Sequence, residues 1–259
     1  MADGSMIDIH SHILPGLDDG SPSLEESVAM ARVAAEAGTT DIVASPHANL
    51  QYLFDPELVE RKIAELSQAC EGILRIHYGC DFHLHYDNVQ DALANPSKYA
   101  VNHKNYVLVE LSELLIIKST DEALERMRRA GMVPIITHPE RNSFLQRRID
   151  KLEAWVASGC CLQVTAQSLN GSFGKSARKF SRELLKRGLV HFVASDAHDS
   201  GLRPPRLDEA RHWVLEQFGA APAERLFAGN PAAVLAGEPI PAGEVERSAP
   251  PRRWWRLLG

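Results

Sequence analysis

"MIDIHSH", residues 6–12, joins a short apolar segment to two histidines, and this junction decides how the rest of the chain is interpreted. Ile7 and Ile9 predict a buried strand that ends at His10 and His12. Side chains at positions i and i+2 of a strand point to the same face. The two imidazoles can therefore reach one metal ion together, and similar junctions recur along the chain.

Short segments rich in Val and Ile alternate with helical patterns, most of which end at a glycine. The predicted strands cover residues 6–9, 41–45, 74–78, 106–110, 132–137, 161–164 and 190–194. The predicted helices cover a segment from Leu24, after the N-cap Ser23, and residues 56–70, 120–130, 149–158, 176–187 and 208–218. Strands without strict alternation are typical of parallel sheets buried on both faces. Seven such units predict an α/β fold with a closed or nearly closed barrel, the alternative being an open doubly wound sheet.

Composition indicates an ordinary globular protein of 259 residues, with 44% hydrophobic and 24% charged residues. A formal charge of -6 gives no general electrostatic reason to expect nucleic-acid binding. We expect neither a transmembrane helix nor a signal peptide. The four cysteines form no CxxC pair, so reduced, buried thiols in a cytoplasmic protein are favoured over a disulfide framework.

The last segment differs in composition from the rest of the chain. Residues 6–237 form the predicted domain, and residues 238–259, rich in Pro, Arg and Trp, form a predicted flexible tail. The sequence "PRRWWRLLG" at its end combines cationic, aromatic and apolar side chains that suit a membrane surface. A disordered tail without a partner is the alternative.

Metal-ligating residue types follow six of the seven predicted strands. In chain order they are His10 and His12, His47, Asp81 with His83 and His85, Glu110, His138 with Glu140, and Asp196 with His198. In a barrel these strand ends lie on one rim, where active sites are built. A carboxylate that ends an apolar strand, as Glu110 does, is costly unless it is paired or bound to metal. The pattern predicts two or three divalent ions, for which Mn, Fe or Zn would suit the ligand types.

The motifs DIHSH, DDG, SPH, VELS, HPER and SDAH together resemble those of the polymerase-and-histidinol-phosphatase superfamily. More narrowly, the chain resembles the bacterial tyrosine-protein phosphatases of the capsule and exopolysaccharide type, from Met6 to about Pro239. The resemblance implies a distorted seven-stranded (β/α) barrel with a metal site at the carboxyl-terminal rim of the strands. It also implies up to three ions, with manganese favoured.

The resemblance also implies roles for individual residues, through the motifs that this chain shares with the family. His10, His12 and Asp196 would hold one ion, Glu110 and His138 a second, and His47 and His198, with Asp19 of DDG nearby, a third; Arg141 and Arg203 would bind phosphate. The family usually has a bridging Glu in a G-x-E pattern after the third strand, whereas this chain has Asp81 in "GCD". A side chain one methylene shorter would alter the bridge or reduce metal occupancy, and His83 or His85 could compensate.

The implied activity is metal-dependent hydrolysis of phosphotyrosine, with a membrane-associated tyrosine autokinase of polysaccharide synthesis as the protein substrate. Metal ions would acidify a water to hydroxide, which attacks phosphorus directly while the arginines bind the phosphoryl oxygens. Asp199 is the candidate general acid. No cysteine has an Arg six positions later, which excludes the cysteine-phosphatase mechanism. The alternatives are a small-molecule phosphatase, such as histidinol-phosphate phosphatase, and a metal-binding protein without turnover. No oligomeric state is predicted.

Overall fold

Parallel strands and helices alternate through the computed structural model, which describes residues 4–112 and 118–240. The nine strands within these ranges are β1 Met6–Ser11, β2 Thr39–Ala44, β3 His47–Ala48, β4 Arg75–Tyr78, β5 Asp81–His83, β6 Tyr106–Glu110, β7 Val133–Thr137, β8 Cys161–Thr165 and β9 Phe192–Ala194. The α-helices there are α1 Leu24–Glu36, α2 Pro56–Ala69, α3 Tyr86–Ala94, α4 Lys118–Arg129, α5 Ile149–Ala157, α6 Ala166–Asn170, α7 Gly174–Lys186, α8 Asp208–Phe218, α9 Ala220–Glu224 and α10 Asn230–Ala236.

Two parallel sheets contain these strands. One has the order β1-β2-β4, and the other has the order β3-β5-β6-β7-β8-β9. Every strand pair is parallel, which confirms the predicted parallel α/β organisation. The first and last strands also meet, because Ser11 forms a parallel bridge with Ala197 and the His12 N–H donates to the Ala197 carbonyl at 2.8 Å.

Two predicted strands each continue as a second short strand after a break. Residues 41–45 correspond to β2, and β3 begins three residues after β2 ends. Residues 74–78 correspond to β4, and β5 follows after Gly79 and Cys80. A Cβ added to Gly79 would lie 2.4 Å from Val43 Cγ1, so only glycine allows β2 and β4 to approach this closely at the break. The breaks move β3 and β5 into the six-stranded sheet, and they begin at the candidate ligands His47 and Asp81.

Local sequence signals account for the helix starts. Ser23 caps α1, with its hydroxyl accepting from the Glu26 N–H at 3.3 Å. Asp55 caps α2, whose first residue is Pro56, the residue type that suits this position. The Glu26 carboxylate does not complete the reciprocal capping contact, because it accepts from the Ser200 N–H at 2.6 Å instead. This contact attaches the first turn of α1 to the loop after β9.

The end of the described chain packs against the strands. The Glu238 carbonyl accepts from the Tyr106 hydroxyl at 2.7 Å, and Ile240 packs against an apolar cluster to which both sheets contribute residues. Residues 241–259, most of the predicted tail, lie outside the described residues. None of the helices in the described ranges combines the length and apolar character needed to cross a membrane. All four cysteines are free and buried, as predicted.

Candidate metal centre

Imidazole and carboxylate side chains converge where the strands end. Four groups have ligand atoms that all lie within 4.8 Å of one another: His12, Asp19, His47 and His198; His10, Asp81 and His138; His10, His12 and Asp196; and His47, Asp81 and Glu110. The structure therefore brings all nine predicted metal ligands together at one site. His10, His12, His47 and Asp81 each belong to two groups, so the four groups overlap in a closed ring.

The two histidines of the opening motif are oriented by partners behind them. His10 Nδ1 lies 2.9 Å from Gln163 Oε1, and His12 Nδ1 lies 2.7 Å from Asp18 Oδ2. With each Nδ1 donating, each Nε2 carries the lone pair. These two Nε2 atoms lie 3.3 Å apart and 3.5 and 3.3 Å, respectively, from Asp196 Oδ1. This arrangement presents two imidazole nitrogens and a carboxylate oxygen to a single point.

Asp81 is one of the four residues shared between groups, and it is fully buried. Its Oδ2 is 3.6 Å from His10 Nε2 and 3.2 Å from His47 Nδ1. Among the described residues, neither oxygen of Asp81 accepts a hydrogen bond, and His47 Nδ1 also has no hydrogen-bond partner. Buried polar atoms without partners are costly unless a cation satisfies them. The donor set, imidazole and carboxylate without thiolate, fits divalent Mn, Fe or Zn.

Glu110 and His138 close one side of the site. Glu110 Oε2 is 3.5 Å from His47 Nδ1, and Oε1 is 3.7 Å from His138 Nε2. Burial, with the nearby negative charge of Asp81, raises the pKa of Glu110 to about 7. Burial and the charge of Arg141 hold the pKa of His138 well below its usual range, which keeps this imidazole neutral and available as a ligand.

His47, His198 and Asp19 form the more accessible side. Asp19 Oδ1 lies 3.4 Å from His47 Nε2 and 3.7 Å from His198 Nε2, and its side chain is 53% exposed. Burial lowers the pKa of His47, but the nearby carboxylates of Asp19 and Asp81 outweigh this effect and raise the pKa to about 11. Burial also lowers the pKa of His12, but the Asp18 carboxylate outweighs this effect and raises the pKa to about 9. Without metal, protons on these imidazoles balance the carboxylates.

Two arginines adjoin the site through Asp196. Arg141 Nη1 and Arg203 Nη2 both donate to Asp196 Oδ2, the latter at 2.7 Å. Burial would raise the pKa of Asp196, but His10, His12 and Arg141 hold it well below its usual range. The guanidinium carbons of Arg141 and Arg203 lie 4.8 and 5.6 Å from the centroid of the Phe173 ring. One carboxylate thus faces the histidines with Oδ1 and a cationic pair with Oδ2.

Backbone conformation contributes to the placement of these ligands. His138 and Asp196 have φ angles of 35° and 51°, in the left-handed region that residues other than glycine rarely adopt. A Cβ added to Gly20 would lie 2.2 Å from the His12 carbonyl oxygen. Only glycine therefore allows the DDG loop to pack against His12, and this packing holds Asp18 and Asp19 at the site.

Several predicted candidates lie outside the four groups. The Glu140 carboxylate is buried, and its Oε1 accepts from the Thr165 N–H at 2.8 Å and the Ser168 hydroxyl at 2.7 Å. It anchors the start of α6. In the part of the chain that the structure describes, His83 and His85 belong to none of the ligand groups.

Asp199, the candidate general acid, orders a loop. Its Oδ1 accepts backbone N–H bonds from Gly201 at 2.7 Å and Arg203 at 3.2 Å, and from Leu202. Burial works against ionisation, but these N–H donors prevail and lower the pKa of Asp199. A low pKa suits a loop anchor better than a proton donor, and the general-acid role remains a prediction.

Sequence reasoning missed Asp18, Gln163 and Phe173. Asp18 and Asp19 are adjacent in DDG, and the sequence does not say which histidine each of them contacts. A signal for Gln163 existed, because it is a polar residue inside the otherwise apolar strand β8 and is fully buried. Phe173 lies in a loop where no pattern indicates a contact.

Comparisons with known proteins show which family and which proteins the chain is similar to. A family model described as "Capsular polysaccharide synthesis, CpsB/CapC" matches residues 6–236. The tyrosine-protein phosphatase YwqE of Bacillus subtilis is 34% identical over 219 residues, covering 83% of this chain and 86% of that protein. The tyrosine-protein phosphatase CpsB of Streptococcus pneumoniae is 30% identical over 239 residues, covering 89% and 98%.

A solved structure is also similar. It comes from work on YwqE of Bacillus subtilis and CpsB of Streptococcus pneumoniae, described as unique metal-dependent tyrosine phosphatases. The TM-score is 0.85 at 31% identity, and the match covers 91% of this chain and 96% of the other.

Proposed function

The chain belongs to the capsular polysaccharide synthesis CpsB/CapC family, and from this membership we propose that it is a metal-dependent protein-tyrosine phosphatase. The observation that carries the proposal is the closed ring of imidazole–carboxylate groups joined through Asp196 to two arginines. Hydrolysis of a phosphate monoester needs an activated water and cationic groups around the phosphoryl oxygens. The ring and the arginine pair offer both within one site.

We propose that the nine ligands hold three ions. His10 and His12 have Nδ1 engaged by Gln163 and Asp18, so each offers one nitrogen and serves one ion. The overlapping groups then separate into three sets: His10, His12 and Asp196; Asp81, Glu110 and His138; and Asp19, His47 and His198. Manganese is the proposed metal, and Fe or Zn would suit the same donors. In this division Asp81 takes the place of the family's Glu without help from His83 or His85.

The proposed chemistry is direct hydrolysis without a phosphoenzyme. Bound divalent ions would supply the acidification of water and part of the neutralisation of phosphate charge. Arg141 and Arg203 would move from Asp196 Oδ2 to the phosphoryl oxygens, for which planar guanidinium donors are well matched. The leaving phenolate has a conjugate acid of pKa about 10, so little general-acid assistance is needed. This fits the loop-anchoring position of Asp199.

We propose that the two sheets act as one distorted seven-stranded barrel. In this interpretation, β2 and β3 together form one broken strand, and β4 and β5 together form another. Support comes from the junction of the first and last strands, where the Asp196 N–H donates to the His10 carbonyl at 2.9 Å, next to the Ser11–Ala197 bridge. Closure would place every strand end on the rim that holds the site.

The proposed substrate is a phosphotyrosine protein, namely a membrane-associated tyrosine autokinase of polysaccharide synthesis, dephosphorylated in the cytoplasm. The family description and the names of the similar proteins support this assignment, and four unpaired, buried thiols suit a reducing compartment. We place the domain at residues 6–237 and propose that the tail contacts the membrane surface where the kinase is located. Equal liposome sedimentation with and without residues 245–259 would contradict the role of the tail.

The test compares phosphate release from a phosphotyrosine peptide and from histidinol phosphate. Each substrate is assayed in chelator and then with added Mn²⁺, using the wild type, His10→Ala and the control His212→Ala. His212 is an exposed residue of α8 that pairs with Glu216. We expect Mn²⁺-dependent release from the peptide, lost in His10→Ala and retained in His212→Ala. Preference for histidinol phosphate would identify a small-molecule phosphatase, and no release from either substrate would refute the phosphatase proposal.

A further inference from the structure

Phe173 contacts both arginines of the site, and the chemistry proposed above gives it no role. Its ring centroid lies 4.8 Å from Arg141 Cζ and 5.6 Å from Arg203 Cζ. A guanidinium within about 6 Å of a ring centroid is attracted by the electron-rich ring face. One aromatic side chain therefore attracts the two cations that are proposed to bind the phosphoryl group.

The arginines need more than their shared carboxylate to remain in place. Both donate to the same atom, Asp196 Oδ2, and their like charges repel each other. When phosphoryl oxygens compete for these donors, the contacts with Asp196 weaken at the moment when orientation matters. The attraction to the Phe173 ring acts on the positive charge of each guanidinium and needs no particular N–H group, so it can persist when those N–H groups bind phosphate.

The turn that carries Phe173 has a defined backbone. Gly171 and Gly174 flank it with φ angles of 104° and 89°, which glycine adopts without strain. The Ser172 N–H donates to Asn170 Oδ1 at 3.1 Å, and the Gly174 N–H donates to the Gly171 carbonyl at 2.9 Å. The backbone position of Phe173 is therefore set by hydrogen bonds within the turn.

A further hydrogen bond joins this region to the loop that carries Arg203. Gln167 Nε2, on α6 just before the turn, donates to the Leu202 carbonyl at 3.0 Å. Phe173 and Arg203 consequently lie on segments that are attached to each other beside the site.

We propose that Phe173 is a positioning residue whose ring holds Arg141 and Arg203 side by side, so that both guanidiniums face one phosphoryl group. This inference rests on the proposed phosphatase function. The positioning role requires an aromatic ring at position 173. An aliphatic side chain of similar volume would fill the same space but would not attract a cation. The loss of the ring should therefore weaken phosphate binding more than it slows turnover.

The experiment compares Phe173→Leu, which removes the ring face, with Phe173→Trp, which keeps one. KM and kcat are measured with a phosphotyrosine peptide in Mn²⁺, and the Kd of inorganic phosphate is measured by calorimetry on the Mn²⁺-loaded protein. We expect KM and Kd to rise about tenfold in Phe173→Leu, with kcat reduced less than about threefold. Phe173→Trp should restore both constants, and the amount of bound manganese should be the same in all proteins.

A double variant separates positioning from a local structural effect. If the ring acts through the arginines, then Phe173→Leu should raise phosphate Kd by a smaller factor in an Arg203→Ala background, where only Arg141 remains beside the ring, than it does in the wild type. Unchanged KM and Kd in Phe173→Leu would overturn the proposal. It would also be overturned if the fold-change in phosphate Kd of the double variant equalled the product of the fold-changes of the two single variants. Phe173→Met provides the same comparison if the leucine variant loses its circular dichroism signal. A wild type that binds Mn²⁺ but hydrolyses no peptide would refute the phosphatase function, whereas phosphate Kd would still decide the role of Phe173.

Discussion

At the scale of single residues, Asp18 shows how a neighbour can determine what a ligand does. Its Oδ2 accepts from His12 Nδ1 and also from the His47 N–H at 3.0 Å, so it holds two candidate ligands. Partners of this kind fix the tautomer and the orientation of a metal-binding imidazole. We expect Asp18→Ala to weaken Mn²⁺ binding about 10- to 100-fold, measured by calorimetry. Asp150→Ala, which removes an exposed carboxylate, is the control, and equal affinities in both variants would disprove the role of Asp18.

Asp199 can be tested through the leaving group. A general acid matters more for an alkyl phosphate than for an aryl phosphate, because the alkoxide is the poorer leaving group. Since Asp199 accepts loop N–H bonds and its pKa is lowered, we expect Asp199→Asn to reduce kcat by a similar factor for both substrates. Steady-state kinetics on phenyl phosphate and on an alkyl phosphate check this expectation. A much larger loss for the alkyl phosphate would restore the general-acid role.

The sequence identified residue types at the site better than it identified contacts. His10, His12 and Asp196 could be selected because each follows a recognisable strand, and strand ends gather on one side of a parallel sheet. Asp18 contacts His12 and Asp19 lies beside His47 and His198, and this division depends on how the DDG loop packs around Gly20, which is a tertiary contact. Glu140 also follows a strand, but its position in the sequence does not reveal that its carboxylate accepts from Thr165 and Ser168.

At the scale of secondary structure elements, the start of α1 connects stability with the site. Ser23 caps the helix, and Glu26 in its first turn binds the backbone of Ser200, close to His198. We expect Ser23→Ala to lower the free energy of unfolding by about 1 kcal/mol and Tm by about 2–4 °C. Thermal denaturation checks this, with Ser23→Asp as the variant that keeps a capping oxygen. Identical Tm values for the alanine variant and the wild type would show that the cap contributes nothing.

The elements themselves were largely predictable, and their interruptions were not. Apolar segments and helix-ending glycines indicated the parallel α/β order that the structure confirms. The breaks after β2 and β4 arise where Gly79 packs closely against Val43, and no local pattern encodes that contact. Ser23 could be recognised as the N-cap of α1 from the sequence, whereas the contact of Glu26 with Ser200 could not, because that partner is remote in sequence.

At the scale of the whole molecule, the concentration of charge at the site makes stability depend on pH. The pKa of buried His12 is raised from 6.5 to about 9, so its stabilising effect is complete below pH 6.5 and is lost as the pH rises through 9. We expect this group to make the metal-free protein about 2–3 kcal/mol less stable at pH 9 than at pH 6.5. Urea unfolding at both pH values tests this expectation.

Metal loading should reverse the direction of this pH effect, because a cation takes over the role of the protons. In the same urea titrations, Mn²⁺-loaded protein should gain stability from pH 6.5 to pH 9 relative to the metal-free form. Calorimetry in buffers with different ionisation enthalpies should detect proton release on Mn²⁺ binding at neutral pH. Parallel pH profiles with and without Mn²⁺ would indicate that the imidazoles are not ligands.

The burial of the four thiols has a consequence for the conditions under which the protein can work. Burial raises the pKa of Cys70, Cys80, Cys160 and Cys161, which suppresses the thiolate that peroxide and alkylating agents attack. We expect phosphatase activity to survive iodoacetamide at concentrations that inactivate a cysteine-dependent phosphatase assayed alongside. Loss of activity in step with thiol modification would contradict this. A cell that uses such an enzyme could continue to remove tyrosine phosphate when oxidants inactivate cysteine-dependent phosphatases.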